Sequence, residues 1–132
     1  MKPVKIIIEQ ASKFSFDETI NKLTKEAENH GWKVPFVHDL QQSLAKSGTS
    51  VRPVKVIEIC KPQYSGKMLE LSDERIISVM MPCRISVYEK EDGKTYVSLI
   101  NIDKLSADLP SNIAAVMKEA SDDTLNIVSR VL

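Results

Sequence analysis

Apolar and polar positions along the chain follow two periods, and the points where one gives way to the other outline the elements. Ile6, Ile7 and Ile8, followed by polar residues, predict a well-buried first strand. Ser15-Phe16-Asp17-Glu18 then opens a helix through a capping box, in which the Ser15 hydroxyl accepts the Glu18 amide while Glu18 reaches back. Phe16, Ile20, Leu23 and Ala27 repeat at helical spacing, Lys22, Lys25, Glu26 and Asn29 fill the opposite face, and Gly31 ends the helix in a left-handed cap. Trp32 to Val37 reads as extended, with Pro35 forcing an edge or a crossing. Asp39 caps a brief helix through Leu40, Leu44 and Ala45, closed by Gly48.

Val54 to Cys60 is the second clear strand. Val54, Val56 and Cys60 share one side, but Ile57 and Ile59 make the other side apolar too, so cover on both faces is expected. After Lys61-Pro62 a short turn or helix carries Tyr64 and Met68. The polar patch from Ser72 to Arg75 leads into a third strand around Ile76 to Met80, and Pro82 predicts a kink, bulge or edge. The next stretch fixes its own register. With Glu91, Asp92 and Gly93 as a three-residue loop, Lys90 pairs with Lys94, Val87 with Val97, Ile85 with Leu99, Ser86 with Ser98 and Tyr88 with Tyr96. A two-residue loop scrambles apolar with polar positions, so the pattern selects the longer one. Past Pro110, Ile113, Val116, Met117, Ala120, Ile127, Val128 and Val131 hold one helical phase and predict one long terminal helix, on the same sheet face as the first. The expected fold class is α+β, an antiparallel sheet with helices packed on one face.

Length and composition narrow the function classes. The 132 residues fit a single domain, 1–132, able to bury roughly two-thirds of its unfolded surface. Eighteen basic and eighteen acidic residues cancel and alternate along the chain, which removes the field that phosphate-backbone binding relies on; no nucleic-acid partner is expected. No apolar run is long enough to span a membrane, and no secretory pattern opens the chain. Two cysteines are too few for a disulfide scaffold, so a cytoplasmic location is expected.

Several local patterns also look familiar. Phe14-Ser15-Phe16-Asp17-Glu18-Thr19, His30-Gly31-Trp32, the strand end from Val56 to Pro62, and Met81-Pro82-Cys83-Arg84-Ile85 leading through Tyr88 to Asp92-Gly93-Lys94 resemble the bacterial and archaeal family called domain of unknown function 302. The resemblance covers nearly the whole chain. It implies a strand-helix-strands-helix order similar to the TATA-box-binding-protein-like class, and it brings no established activity or cofactor.

Cys60 and Cys83 are the sharpest chemical candidates. Each lies at a strand end beside a proline, and Lys61 and Arg84 would favour the thiolate that nucleophilic, redox or metal-binding sulfur requires. Parity places Cys83 on the Ile85 side and Cys60 on the Val56 side. The bland alternative is that both pack as small hydrophobes. Two cysteines and two histidines far apart do not suit structural zinc, whereas a soft two-coordinate site at Cys60 and Cys83, or one using Met80 or Met81 as thioethers, suits copper(I); the bland reading of methionine before a strand is core filling. His30 reads as a helix-capping residue and His38 as a ligand or general base. No Gly-x-Ser-x-Gly elbow or glycine-rich phosphate loop is present. Glu89 with Glu91, and Asp122 with Asp123, read as solvated surface. Tyr88 and Tyr96, with Ser86 and Ser98, offer a ligand floor or a dimer contact.

The leading expectation is a binding domain without catalytic turnover, holding a small molecule, a metal ion or a partner copy as a homodimer, with Cys60, Cys83, Arg84, Tyr88 and Tyr96 as site candidates. The alternative is a thiol redox or sulfur-handling protein cycling Cys60 and Cys83. A third is a structural homo-oligomer joined through the polar hairpin face or an incompletely covered Ile57 and Ile59 side.

Overall fold

The capping box at Ser15 forms as the residue pattern requires: the Ser15 hydroxyl accepts the Glu18 amide at 3.3 Å and donates to the Glu18 carboxylate at 3.2 Å. It starts α1, Phe16–Asn29, which follows the edge strand β1, Ile7–Ala11. The computed structural model describes residues 6–71, 75–81, 83–105 and 108–132. After α1 come β2 (Lys33–Asp39), α2 (Leu40–Lys46), β3 (Val54–Cys60), α3 (Pro62–Leu71) and a 3-10 helix (Arg75–Met80). The hairpin of β4 (Cys83–Glu89) and β5 (Thr95–Ile100), the one-turn α4 (Ile102–Leu105) and the long α5 (Ser111–Ser129) complete the chain.

The five strands form one antiparallel sheet in the order β1-β5-β4-β3-β2. Ile8, Ile57, Ile59, Ile85, Val87, Val97 and Leu99 alternate onto one face and are buried there beneath α1 and α5, with Leu23, Ala27, Ile127 and Val128 opposite them. Burial of each such aliphatic side chain contributes about 1.5–3 kcal/mol. On the other face every strand residue is at least partly exposed, including Ile7, Phe36 and Ile100. The fold is therefore α+β, with the helical layer on one face of the sheet.

Most expected elements stand where the pattern puts them. Gly31, Gly48 and Gly93 all have positive φ, and Lys90 donates to the Lys94 carbonyl at 3.2 Å, closing the three-residue hairpin loop. Pro35 lies on the edge strand β2, where the register shifts between Lys33 and Phe36.

Three expectations are corrected. The stretch expected as a strand around Ile76 to Met80 is the 3-10 helix: Ile77 and Met80 both pack into a second apolar cluster, and their spacing of three is one 3-10 turn. Strand β3 is covered on one face only; Ile57 and Ile59 are 0% exposed, so theirs is the core side and not an open interface, while Val54, Val56 and Cys60 are half-buried. The expected rung between Ile85 and Leu99 is absent from the β4–β5 ladder. Pro82 and the Ser72 to Glu74 part of the polar patch lie outside the described residues.

Candidate functional site: a methionine-walled cavity at a split in the sheet

The missing rung marks the site. Strand β4 stays paired with β3 as far as Cys83, opposite Ile59, and β5 stays paired with β1 as far as Ile100, opposite Ile7. Between β4 and β5, however, pairing stops at Ser86 and Ser98. The bond from Lys90 to Lys94 sets the alternation, so even-numbered residues of β4 direct their backbone groups toward β5. The next hydrogen-bonded rung would join Arg84 to Ile100, and it is not formed. The strands part there.

A cavity of about 410 Å³ occupies this split and the space beneath it. Its volume lies within the range of small-molecule sites. Met68 of α3, Met80 and Met81 at the end of the 3-10 helix, and Met117 of α5 line it, so four of the five methionines in the chain meet in one place. Cys83 and Leu99 reach it from the helical side, whereas Ile7, Arg84 and Ile100 belong to the open face of the sheet. Val79, 83% exposed, stands at the margin with half-exposed Ile7 and Ile100. Met80 and Met81, which the sequence offers as core filling before a strand or as thioether ligands, wall this cavity instead. The visible signal was the pairing of Met80-Met81 with two helical methionines, but nothing in the sequence placed α3 and α5 against the hairpin.

Of the residues singled out in advance, the structure brings Cys83 and Arg84 to the cavity and leaves Cys60 outside its lining. Both cysteines are free thiols. Ile59 lies opposite Cys83, so alternation sends the Cys83 side chain to the helical face and Cys60 to the open one. The expected cysteine pair is therefore not a disulfide pair: the strands are neighbours but the side chains diverge. Cys60 Sγ lies 3.9 Å from Ser65 Oγ instead. Burial, with a smaller contribution from Cys60, pushes the Cys83 thiol up from its ordinary value, which keeps it neutral. Among the described residues no three His, Cys, Asp or Glu side chains converge as a metal site. Nor is any described helix long and apolar enough to cross a membrane.

Tyr88 and Tyr96 do share the open face as expected, with ring centroids 6.3 Å apart and planes nearly parallel. Their hydroxyls are already committed: Tyr88 donates to the Glu9 carboxylate, which also accepts from Lys90 at 2.8 Å, and Tyr96 donates to Asp92. Burial and the Glu9 carboxylate push Tyr88 up to about 12. The pair forms a closed polar network beside the hairpin and does not line the cavity. His38, read as a ligand or base, is engaged by Glu58 at 2.6 Å and lies against the Phe36 ring.

Asp123, read as solvated surface, is instead the hub of a half-buried clamp at the far end of the core. It accepts from Trp32 Nε1 at 2.8 Å, from Lys61 Nζ at 3.2 Å and lies 3.3 Å from His30 Nδ1. Lys61 also donates to the His30 carbonyl at 2.9 Å and stands over the Trp32 and Tyr64 rings. Burial opposes ionisation of Asp123, but the bonds from Trp32, Lys61 and His30 outweigh it and hold the carboxyl below its ordinary value. His30 does cap α1, and its ring turns to Asp123 and Glu26.

Residues 8–131 match the family model described as Domain of unknown function DUF302. Among solved structures, the fold is similar to the uncharacterized conserved protein DUF302 from Bacillus stearothermophilus, with a TM-score of 0.87, 17% identity, and coverage of 98% of this chain and 100% of that one. No curated protein matches. The family match spans almost the whole described fold, from β1 to the residues after α5, and on that ground the chain belongs to the DUF302 family.

Proposed function

We propose that this protein is a binding domain without catalytic turnover, and that the cavity between β4, β5 and α5 holds a small molecule with a largely apolar body. The observation that carries the reading is the cavity itself: about 410 Å³ walled mainly by thioethers and aliphatic side chains, beside a main core of fully buried side chains such as Leu23, Ile57 and Ile127. Methionine side chains suit such a role because they are unbranched and polarizable and re-pack around differently shaped guests. The neutral Cys83 thiol in the wall supports a packing role over a nucleophilic one. A dithiol cycle needs convergent Cβ vectors, and the divergence of Cys60 from Cys83 favours binding over that alternative.

The test uses the neutral fluorophore N-phenylnaphthylamine, whose emission rises and shifts to the blue in apolar surroundings. Saturable one-to-one binding that is lost in Ser121→Phe, where the new ring enters the cavity from α5, is the expected result. Absence of saturable binding to the folded protein would sink the proposal.

A second reading has its own observation. Ile7, Ile100 and Phe36 are exposed on the open face of the sheet, which favours self-association of two copies through that face. Sedimentation equilibrium tests it: a dimer that dissociates in Ile100→Lys supports it, and a monomer at high concentration removes it.

A further inference from the structure

The chemistry at the rim restricts what the cavity takes. Arg84 is the one charged side chain among the described lining residues, and no carboxylate accompanies it there. It is exposed and forms no ion pair among the described residues. Its cross-strand neighbour on β3 is Glu58, the obvious internal partner, but that carboxylate is held by His38 at 2.6 Å. The missing rung directs the backbone polar groups of Arg84 and Ile100 at the same opening. A guanidinium with no ion pair among the described residues thus stands where the β4–β5 ladder ends, beside an apolar chamber.

We propose that the occupant is an amphipathic acid: a flexible alkyl chain lying among Met68, Met80, Met81 and Met117, with its terminal carboxylate at the Arg84 guanidinium. This rests on the reading of the cavity as a binding site. A carboxylate meets the planar fork of a guanidinium with two parallel hydrogen bonds, and a charge-assisted pair is about twice as strong as a neutral one. A neutral hydroxyl head gains less from Arg84, and an ammonium head is repelled by it. The thioether wall has no fixed shape that would select a rigid ring over a bending chain.

Isothermal titration calorimetry with decanoate, decanol and decylamine tests the inference on the wild-type protein, Arg84→Gln and Ser121→Phe. The wild type is expected to bind decanoate one to one and about tenfold more tightly than decanol, with decylamine weakest. Arg84→Gln, at an exposed position, should bring decanoate and decanol to equal affinity, and Ser121→Phe should weaken all three. Equal affinities in the wild type, with Ser121→Phe still weakening each, overturn the acid while leaving the cavity as a binding site. Failure of all three to bind, or binding indifferent to Ser121→Phe, overturns both. Circular dichroism melts establish that each variant is folded; Leu105→Trp, which fills the same cavity from α4, replaces Ser121→Phe if that variant is not.

Discussion

The two ends of α5 rest on different ground. Toward its C-terminus, Ile127 and Val128 sink into the main core and Asp123 gathers the indole of Trp32, the ammonium of Lys61 and the ring of His30. Toward its N-terminus, Ile113, Val116 and Met117 join Met68 and Ile77 in a separate cluster that borders the cavity. One end satisfies its polar groups internally and fills its volume. At the other, a rung of the sheet is missing, space is left open and Arg84 faces outward. The difference assigns stability to the clamp end and adaptability to the cavity end, because tight packing resists the rearrangement that taking in a guest requires.

Equal truncations on the same helix give the strongest way to break this comparison. Ile127→Ala, at a position with no exposure, is expected to cost about 4 kcal/mol, since the close-packed surroundings cannot collapse into the space. Met117→Ala should cost about 2 kcal/mol, because its side chain already borders empty volume and gives up fewer contacts. Urea denaturation of both variants measures the two values. Equal costs would mean that α5 is uniformly packed and the distinction between its ends is false.

Charged groups extend the same contrast. Asp123→Ala leaves the Trp32 indole N–H and the partly buried Lys61 ammonium without their acceptor, and should cost about 3 kcal/mol. Arg84→Ala removes an exposed cation with no ion-pair partner among the described residues and should change stability by less than about 0.5 kcal/mol. A large loss from Arg84→Ala would show that the arginine holds the fold together and would weaken its assignment to a ligand.

How far these two ends were legible in the sequence differs for physical reasons. The hairpin register followed from parity and one loop, because a slip by one residue would turn every side chain of the strand to the other face. The same reasoning overran at Ile85 and Leu99: parity describes the strand but carries no information on where two strands stop pairing. Short apolar runs such as Ile76 to Met80 suit a strand or a tight helix equally, and packing against Met117 and Ile113 decided the outcome. Local context singles out Cys83 and Arg84, and both line the cavity. It does not reveal the methionine wall or the Asp123 clamp, since each joins residues from elements far apart in sequence, and a carboxylate beside Asp122 looks the same whether it meets solvent or an indole.

Acid adds a smaller effect. The folded-state value of Asp123 lies below the ordinary one, so the unfolded chain takes up its proton first as pH falls. Its contribution is full above the ordinary carboxylate value of about 3.9 and is lost as pH drops through the lower folded value. Glu9 and Asp92 are lowered too, by Lys90 and Tyr96 respectively, but they are exposed and solvent screens them. Asp123→Asn should therefore flatten the acid limb of the stability curve, whereas Asp92→Asn leaves it nearly unchanged. Thermal melts from pH 6 downward would show it, and a curve for Asp123→Asn as steep as wild type would place the acid sensitivity elsewhere.

The finest test lies at the cavity wall, in the reactivity of Cys83. Alkylation proceeds through the thiolate, and burial holds this thiol up, so at neutral pH the reactive fraction is small, and the thiol's residue lines the cavity. Iodoacetamide is expected to modify Cys83 more slowly than the same cysteine in the urea-unfolded chain, as followed by mass spectrometry of the digested protein. Decanoate should slow the reaction further by filling the cavity, while leaving the rate at Cys60, which stands outside the lining, unchanged. Protection of both cysteines would point to a global gain in stability, since a guest that merely stabilises the fold shields every partly buried thiol. Protection of Cys83 alone requires the guest to sit beside it, where Met117 and Arg84 also meet the cavity.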